Sequence, residues 1–108
     1  MKARKILFTV NAVRWFDRVN GNTYHSVRIT RIRDNKTIVQ GMTYGYGDQY
    51  RYTALEAMSM AKWLPVKYRG TYSTGSPMSV MYERENNYPI IWNVQDGLKR
   101  DMIRNGNA

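Results

Sequence analysis

The sequence predicts an α+β fold: a three-stranded antiparallel meander, one helix packed on it, then two further strands, in the order βββ-α-ββ. Three observations carry that expectation. Two turn signals, Asn20-Gly21 and Asp34-Asn35, divide the N-terminal part into three runs rich in β-branched and aromatic residues. A capping-box pattern, Thr53-Ala54-Leu55-Glu56, opens a stretch whose apolar residues recur at helical spacing. Beyond it, apolar and polar residues alternate again.

Residues 5–16 read as the first strand and residues 23–33 as its return. Asn20-Gly21 tolerates the two positive φ angles of a type I′ turn. A two-residue bend there pairs Val19 with Asn22, Ala12 with Ile29, Arg14 with Val27 and Phe16 with His25. One face then carries Ile6, Phe8, Val10, Ala12 and Phe16 with Val27 and Ile29. A second two-residue bend at Asp34-Asn35 adds Ile38, Met42 and Tyr44 from a third strand, residues 36–44. This is the expected core face. The opposite face carries Thr9, Asn11, Val13, Trp15 and Asp17 with Tyr24, Ser26, Arg28 and Thr30.

Thr53 is the expected N-cap of a helix over about residues 54–63, with Glu56 closing the box and Tyr52 and Ala57 as the staple. Ala54, Leu55, Met58 and Ala61 give it an apolar stripe. Pro65 disfavours helical geometry at Leu64 and ends it. Asp48 is a competing cap that would start the helix earlier. Residues 66–77 read as a loop. Met78–Glu85 alternates as a strand, with Val80 and Tyr82 opposed to Met81 and Glu83. A turn at Glu85-Asn86-Asn87 leads to the last strand, Tyr88–Val94. The charged tail, 97–108, reads either as flexible chain or as one or two helical turns through Leu98, Met102 and Ile103.

Length fits one domain over residues 1–108. No apolar run approaches the roughly 20 residues of a membrane span, and the basic start is followed by too short an apolar run for a signal peptide. Zero Cys removes disulfides and thiolate chemistry and suits a reducing cytoplasm. One His, His25, argues against a transition-metal site, so no metal or other cofactor is expected. The net charge is +9. Residues 1–36, a basic hairpin region, hold nine Lys or Arg against Asp17 and Asp34, a net +7. Such one-sided charge is the footprint expected for a phosphate- or carboxylate-rich partner.

Aromatic rings beside Arg on a sheet face suit single-stranded nucleic acid, whose bases stack on rings while cations meet phosphates. The expected nucleic-acid-binding residues are Arg14, Trp15, Arg18, Tyr24, Arg28, Arg31, Arg33 and Lys36. A second set, Tyr46, Tyr50, Arg51, Tyr68, Arg69 and Tyr72, lies in Tyr/Gly/Ser-rich segments and is the expected partner-binding loop region. The alternative for these glycine-rich stretches is tight turns that cover the core edge. No catalytic residue is assigned. His25 lacks neighbours for a triad, since Asp17 and Ser26 point to the other face, and reads as a packed edge residue.

Residues Trp15-Phe16-Asp17-Arg18-Val19-Asn20-Gly21-Asn22-Thr23-Tyr24-His25-Ser26-Val27-Arg28 stand out as a unit. With Tyr44-Gly45-Tyr46-Gly47-Asp48-Gln49-Tyr50 and Thr53-Ala54, they resemble small uncharacterised proteins of phage and metagenomic origin. The resemblance covers about half the chain and implies a phage-type accessory setting, in which small proteins bind and block host machinery. The leading expectation is a non-enzymatic binder of nucleic acid or a ribonucleoprotein, acting in the cytoplasm. Two alternatives stand beside it: an inhibitor of the anti-CRISPR type that docks on a host protein, and a small ribonuclease toxin. An open sheet edge also offers a surface for a homodimer.

Overall fold

A computed structural model describes residues 4–107; Lys2, counted in the basic N-terminal run, and the tail's last residue lie outside them. Strands β1 (Phe8–Asp17), β2 (Asn22–Arg31) and β3 (Lys36–Tyr44) form the antiparallel meander, and β4 (Ile90–Asp96) adds parallel to β1. The sheet order is β3-β2-β1-β4.

Both meander turns are wider than two residues, because an aspartate builds each. The Asp17 carboxylate accepts from the Val19 N–H at 3.0 Å, the Asn20 N–H at 3.4 Å and the Asn20 side-chain amide at 2.8 Å. Such local side-chain bonds satisfy turn N–H groups that a tight bend would not present. The loop is therefore residues 18–21, and Asp17 pairs with Asn22. At the second turn Asp34 accepts from the Arg31 guanidinium at 3.1 and 2.7 Å and from the Lys36 N–H at 3.3 Å, and Arg31 pairs with Lys36. Each register thus differs by two residues from the expected one. Side chains alternate with a period of two, so β1, β2 and the first half of β3 keep their faces. Ala12 faces Val27, and Ile29 faces Ile38.

The second half of β3 does not keep its face. Between the pairs Val27–Gln40 and His25–Thr43, one β2 residue opposes two on β3, Gly41 and Met42. This β-bulge inverts the alternation. Tyr44, expected in the core, stands instead beside Tyr24 on the outer face and is 64% exposed. Met42, in the bulge itself, is likewise exposed. Phe16, also expected in the core, is exposed at the end of β1.

The inner face is closed by helix α1 (Gln49–Met60). Val10, Val27 and Ile29 are buried against Ala54, Leu55 and Met58; full burial of such a side chain contributes roughly 1.5–3 kcal/mol. The helix starts five residues before Ala54, with Asp48 at the N-cap position, because the Thr53 hydroxyl is taken by His25 and does not cap. It ends before Trp63 because Lys62 adopts φ 61° and the Trp63 N–H closes back on Met58 O at 2.9 Å.

Residues 66–77 begin with a 3₁₀ turn, Val66–Tyr68, and continue as a loop closed by a Thr71–Pro77 bridge. The strand expected at Met78–Glu85 is helical: a 3₁₀ turn at Met78–Met81 runs into α2 (Tyr82–Glu85). Ser79 and Tyr82, three residues apart, are both buried, and the Ser79 hydroxyl donates to Glu56 at 2.7 Å. A short alternating run fits either period, and burial chose the helical one. One of the two further strands therefore forms, β4.

The tail is packed rather than loose. Helix α3 (Lys99–Asn105) lies on the middle of the outer face against β1 and β2, and Met102, Val13 and Ser26 are all buried. The Ser26 hydroxyl donates to Met102 O at 2.5 Å, and the Asn105 side-chain amide donates to Asn11 O at 3.0 Å. No helix among the described residues is long and apolar enough to cross a membrane.

After α3 the chain passes so close to the bulge that a Cβ on Gly106 would lie 2.8 Å from Gly41 Cα and 3.0 Å from Ser26 Cβ. Gly106→Ala is therefore expected to lower stability by about 1–3 kcal/mol, as overpacking does. Ser73→Ala, a change at an exposed loop position, serves as the reference. Denaturant unfolding checks this; equal midpoints for the Gly106 variant and the native chain would contradict it.

Candidate functional site

Three rings cross the outer face at the open end of the meander, one from each strand. Trp15 and Tyr24 are direct partners on β1 and β2, stacked with centroids 5.7 Å apart and planes 22° apart. Tyr24 and Tyr44 are partners on β2 and β3, edge to face at 5.7 Å. Cross-strand neighbours stand close enough for such rings to touch. Lys99, at the start of α3, places its ammonium 5.4 Å from the Trp15 centroid. The row thus reads Tyr44–Tyr24–Trp15–Lys99. Trp15 and Tyr24 are half-buried and Tyr44 is exposed. Arg18, in the adjoining turn, is exposed. An open cleft of about 800 Å³ beside the row is lined by Trp15, Arg18, Phe16, Val19 and Leu98 among others.

Other expected nucleic-acid contacts lie elsewhere. Arg14 is on the inner face, where its Nε donates to Asp96 at 2.9 Å and its Nη1 to Gly47 O at 3.1 Å. Arg31 is also an inner-face residue: it grips Asp34 and sits 4.6 Å over the Trp63 ring. This guanidinium holds the Asp34 carboxyl down to about 2. Arg28 keeps the outer face but donates to Asn107 O, so the chain end sits on it. Arg33 and Lys36 are exposed at the far end of the sheet. From pair Tyr24–Tyr44 to pair Arg31–Lys36 is seven residues along β2, about 23 Å.

The Tyr-rich segments divide similarly. Tyr46 and Tyr72 are exposed. Tyr50 and Tyr68, expected to meet a partner, are core residues, 3% and 5% exposed, and the Tyr68 hydroxyl donates to Glu85 at 2.8 Å. Arg69, also expected there, is turned back to donate to Leu64 O at 2.8 Å. Arg51 lies 5.1 Å from the Trp92 centroid and 3.8 Å from Glu83, whose carboxylate also accepts from the Trp92 indole N–H. These four are held by the fold because the segment after β3 must bury its rings to close the core. Among the described residues no three His, Asp or Glu gather as a metal cage.

Sequence reasoning missed Lys99 and the outward turn of Tyr44. Gly41 inside a strand was the available signal for the second, since glycine there marks a bulge. Lys99 had no local signal, because its place depends on where α3 docks.

His25 is buried with both ring nitrogens engaged, Nδ1 at 3.1 Å from Gly45 O and Nε2 at 2.6 Å from Thr53 Oγ1. A carbonyl only accepts, so Nδ1 carries the proton and Thr53 donates to Nε2. Burial pushes the His25 pKa below its usual 6.5, against the Gly45 hydrogen bond that raises it. The unfolded chain therefore binds the extra proton first as pH falls. The stability from neutral His25 is present above 6.5 and is lost below it, with a slope of at most about 1.4 kcal/mol per pH unit. His25→Gln is expected to flatten the dependence between pH 7.5 and 5.5 even though it lowers stability at both ends. Equal slopes in urea unfolding would contradict this. No protein-family model, no curated protein and no solved structure matches the chain.

Proposed function

We propose that this chain is a non-enzymatic binder of single-stranded nucleic acid, free or within a ribonucleoprotein, and that it uses the Tyr44–Tyr24–Trp15 row. The observation that carries the reading is the row itself: three touching rings on a sheet face, ending in the Lys99 ammonium. Bases stack on such rings at roughly 1–3 kcal/mol each, whatever their sequence. Arg18 and Lys99 flank the row as exposed cations for phosphates. Arg33 and Lys36 add long-range attraction rather than contact. Cytoplasmic action goes with this reading, in the host cytoplasm if the setting is a phage.

A protein partner is the second reading. Val19, Phe16 and Leu98 are 91%, 55% and 56% exposed around the open cleft. Three large apolar groups together on a small surface suit docking on a host protein. A ribonuclease has less behind it, because His25 is enclosed and both its nitrogens are engaged.

Labelled oligothymidylate and a duplex, titrated at about 50 mM salt where phosphate contacts are strongest, test the first reading. The single strand is expected to bind, and to weaken as salt rises. Tyr44→Ala and Trp15→Ala should each lower affinity by roughly 5- to 100-fold, the equivalent of one lost stack. Absence of binding, or binding indifferent to both substitutions, would count against it. A partner retained from nuclease-treated lysate and lost with Val19→Glu and Leu98→Glu would favour the second reading.

A further inference from the structure

A second cleft, of about 470 Å³, opens at the far end of the sheet between the lead-in to β1, the β2–β3 turn and the chain that follows α1. Its apolar lining includes Leu7, Ile32 and Trp63. Trp63 stacks on Phe8, with centroids 6.0 Å apart and planes 15° apart, and carries the Arg31 guanidinium over its ring. Every charged residue lining the cleft is a cation: Lys5, Arg31 and Arg33. Arg31 is committed to Asp34 and Trp63. Lys5 and Arg33 are exposed, and among the described residues neither forms an ion pair.

Two unpaired cations over an apolar floor are complementary to a molecule with one anionic group and an apolar body. The anion gains charge-assisted hydrogen bonds, and the body removes the exposed Ile32 and Leu7 side chains from water. The volume lies in the range of small-molecule sites. We propose that this cleft binds a small amphipathic acid, an apolar body carrying one carboxylate or sulfonate. The acid group meets Lys5 and Arg33, and the apolar body lies along Ile32 and Leu7. The cleft is about seven residues of β2 away from the ring row, so this site does not depend on nucleic-acid binding.

The probe is 2-naphthoate, with 2-naphthalenemethanol as its neutral counterpart, followed by calorimetry and by amide NMR shifts. Naphthoate is expected to shift the amides of residues 5–8, 31–33 and 63 and to bind at least about tenfold tighter than the alcohol, the scale of one charge-assisted contact. The double variant Lys5→Glu/Arg33→Glu should lose about tenfold or more, with Lys5→Ala/Arg33→Ala as the milder check on folding. Trp15→Ala should leave naphthoate binding unchanged. No binding, equal binding of acid and alcohol, or indifference to both double variants would overturn the proposal. Displacement of naphthoate by oligothymidylate would also overturn it, since the cleft would then belong to a nucleic-acid path.

Discussion

The extra residue in β3 decides what this sheet can present. Without the bulge at Gly41-Met42, the strand's alternation would carry Tyr44 to the inner side, where His25 and Thr43 meet. With it, Tyr44 joins Tyr24 and Trp15 in one row, and Thr43 takes the inward position. The same bulge receives the end of α3, because two glycines, Gly41 and Gly106, let the backbones approach. One local irregularity therefore sets both the row and the helix beside it.

The outer face is thus divided. Its middle is a small second core, where α3 lies on β1 and β2 and Val13, Ser26 and Met102 are all buried. Its open end keeps the rings. Helix α3 closes one part and furnishes the other, since Lys99 extends over Trp15 from its first turn. The charge is divided as well. Arg14 and Arg31, though part of the basic N-terminal third, are spent within ion pairs to Asp96 and Asp34. Exposed cations stand by the rings, Arg18 and Lys99, and at the other end, Lys5, Arg33 and Lys36, while Arg100 and Arg104 are exposed on α3.

Much of this was legible in the residues. Asp-Asn and Asn-Gly marked both turns, and the α+β order with its meander followed. The turn lengths were not legible, because the carboxylates of Asp17 and Asp34 compete with the tight bend. The error was harmless to the faces, since two residues is a whole period of a strand. The bulge was not harmless: a shift of one residue moved Tyr44 across the sheet. Tyr50, Tyr68 and Arg69 looked like a binding loop because Tyr, Gly and Ser serve turns and binding alike; only their burial and partners separate the two. The helical fate of Met78–Glu85 turned on Ser79 meeting Glu56, a contact made across the fold.

In the proposed function the rings themselves meet bases. Ultraviolet cross-linking of a bromouridine-substituted single strand, followed by peptide mass spectrometry, reads that contact residue by residue. Adducts at Tyr44, Tyr24 or Trp15 are the predicted result. Adducts confined to residues away from the open end of the outer face, or none under conditions where the strand is bound, would contradict it.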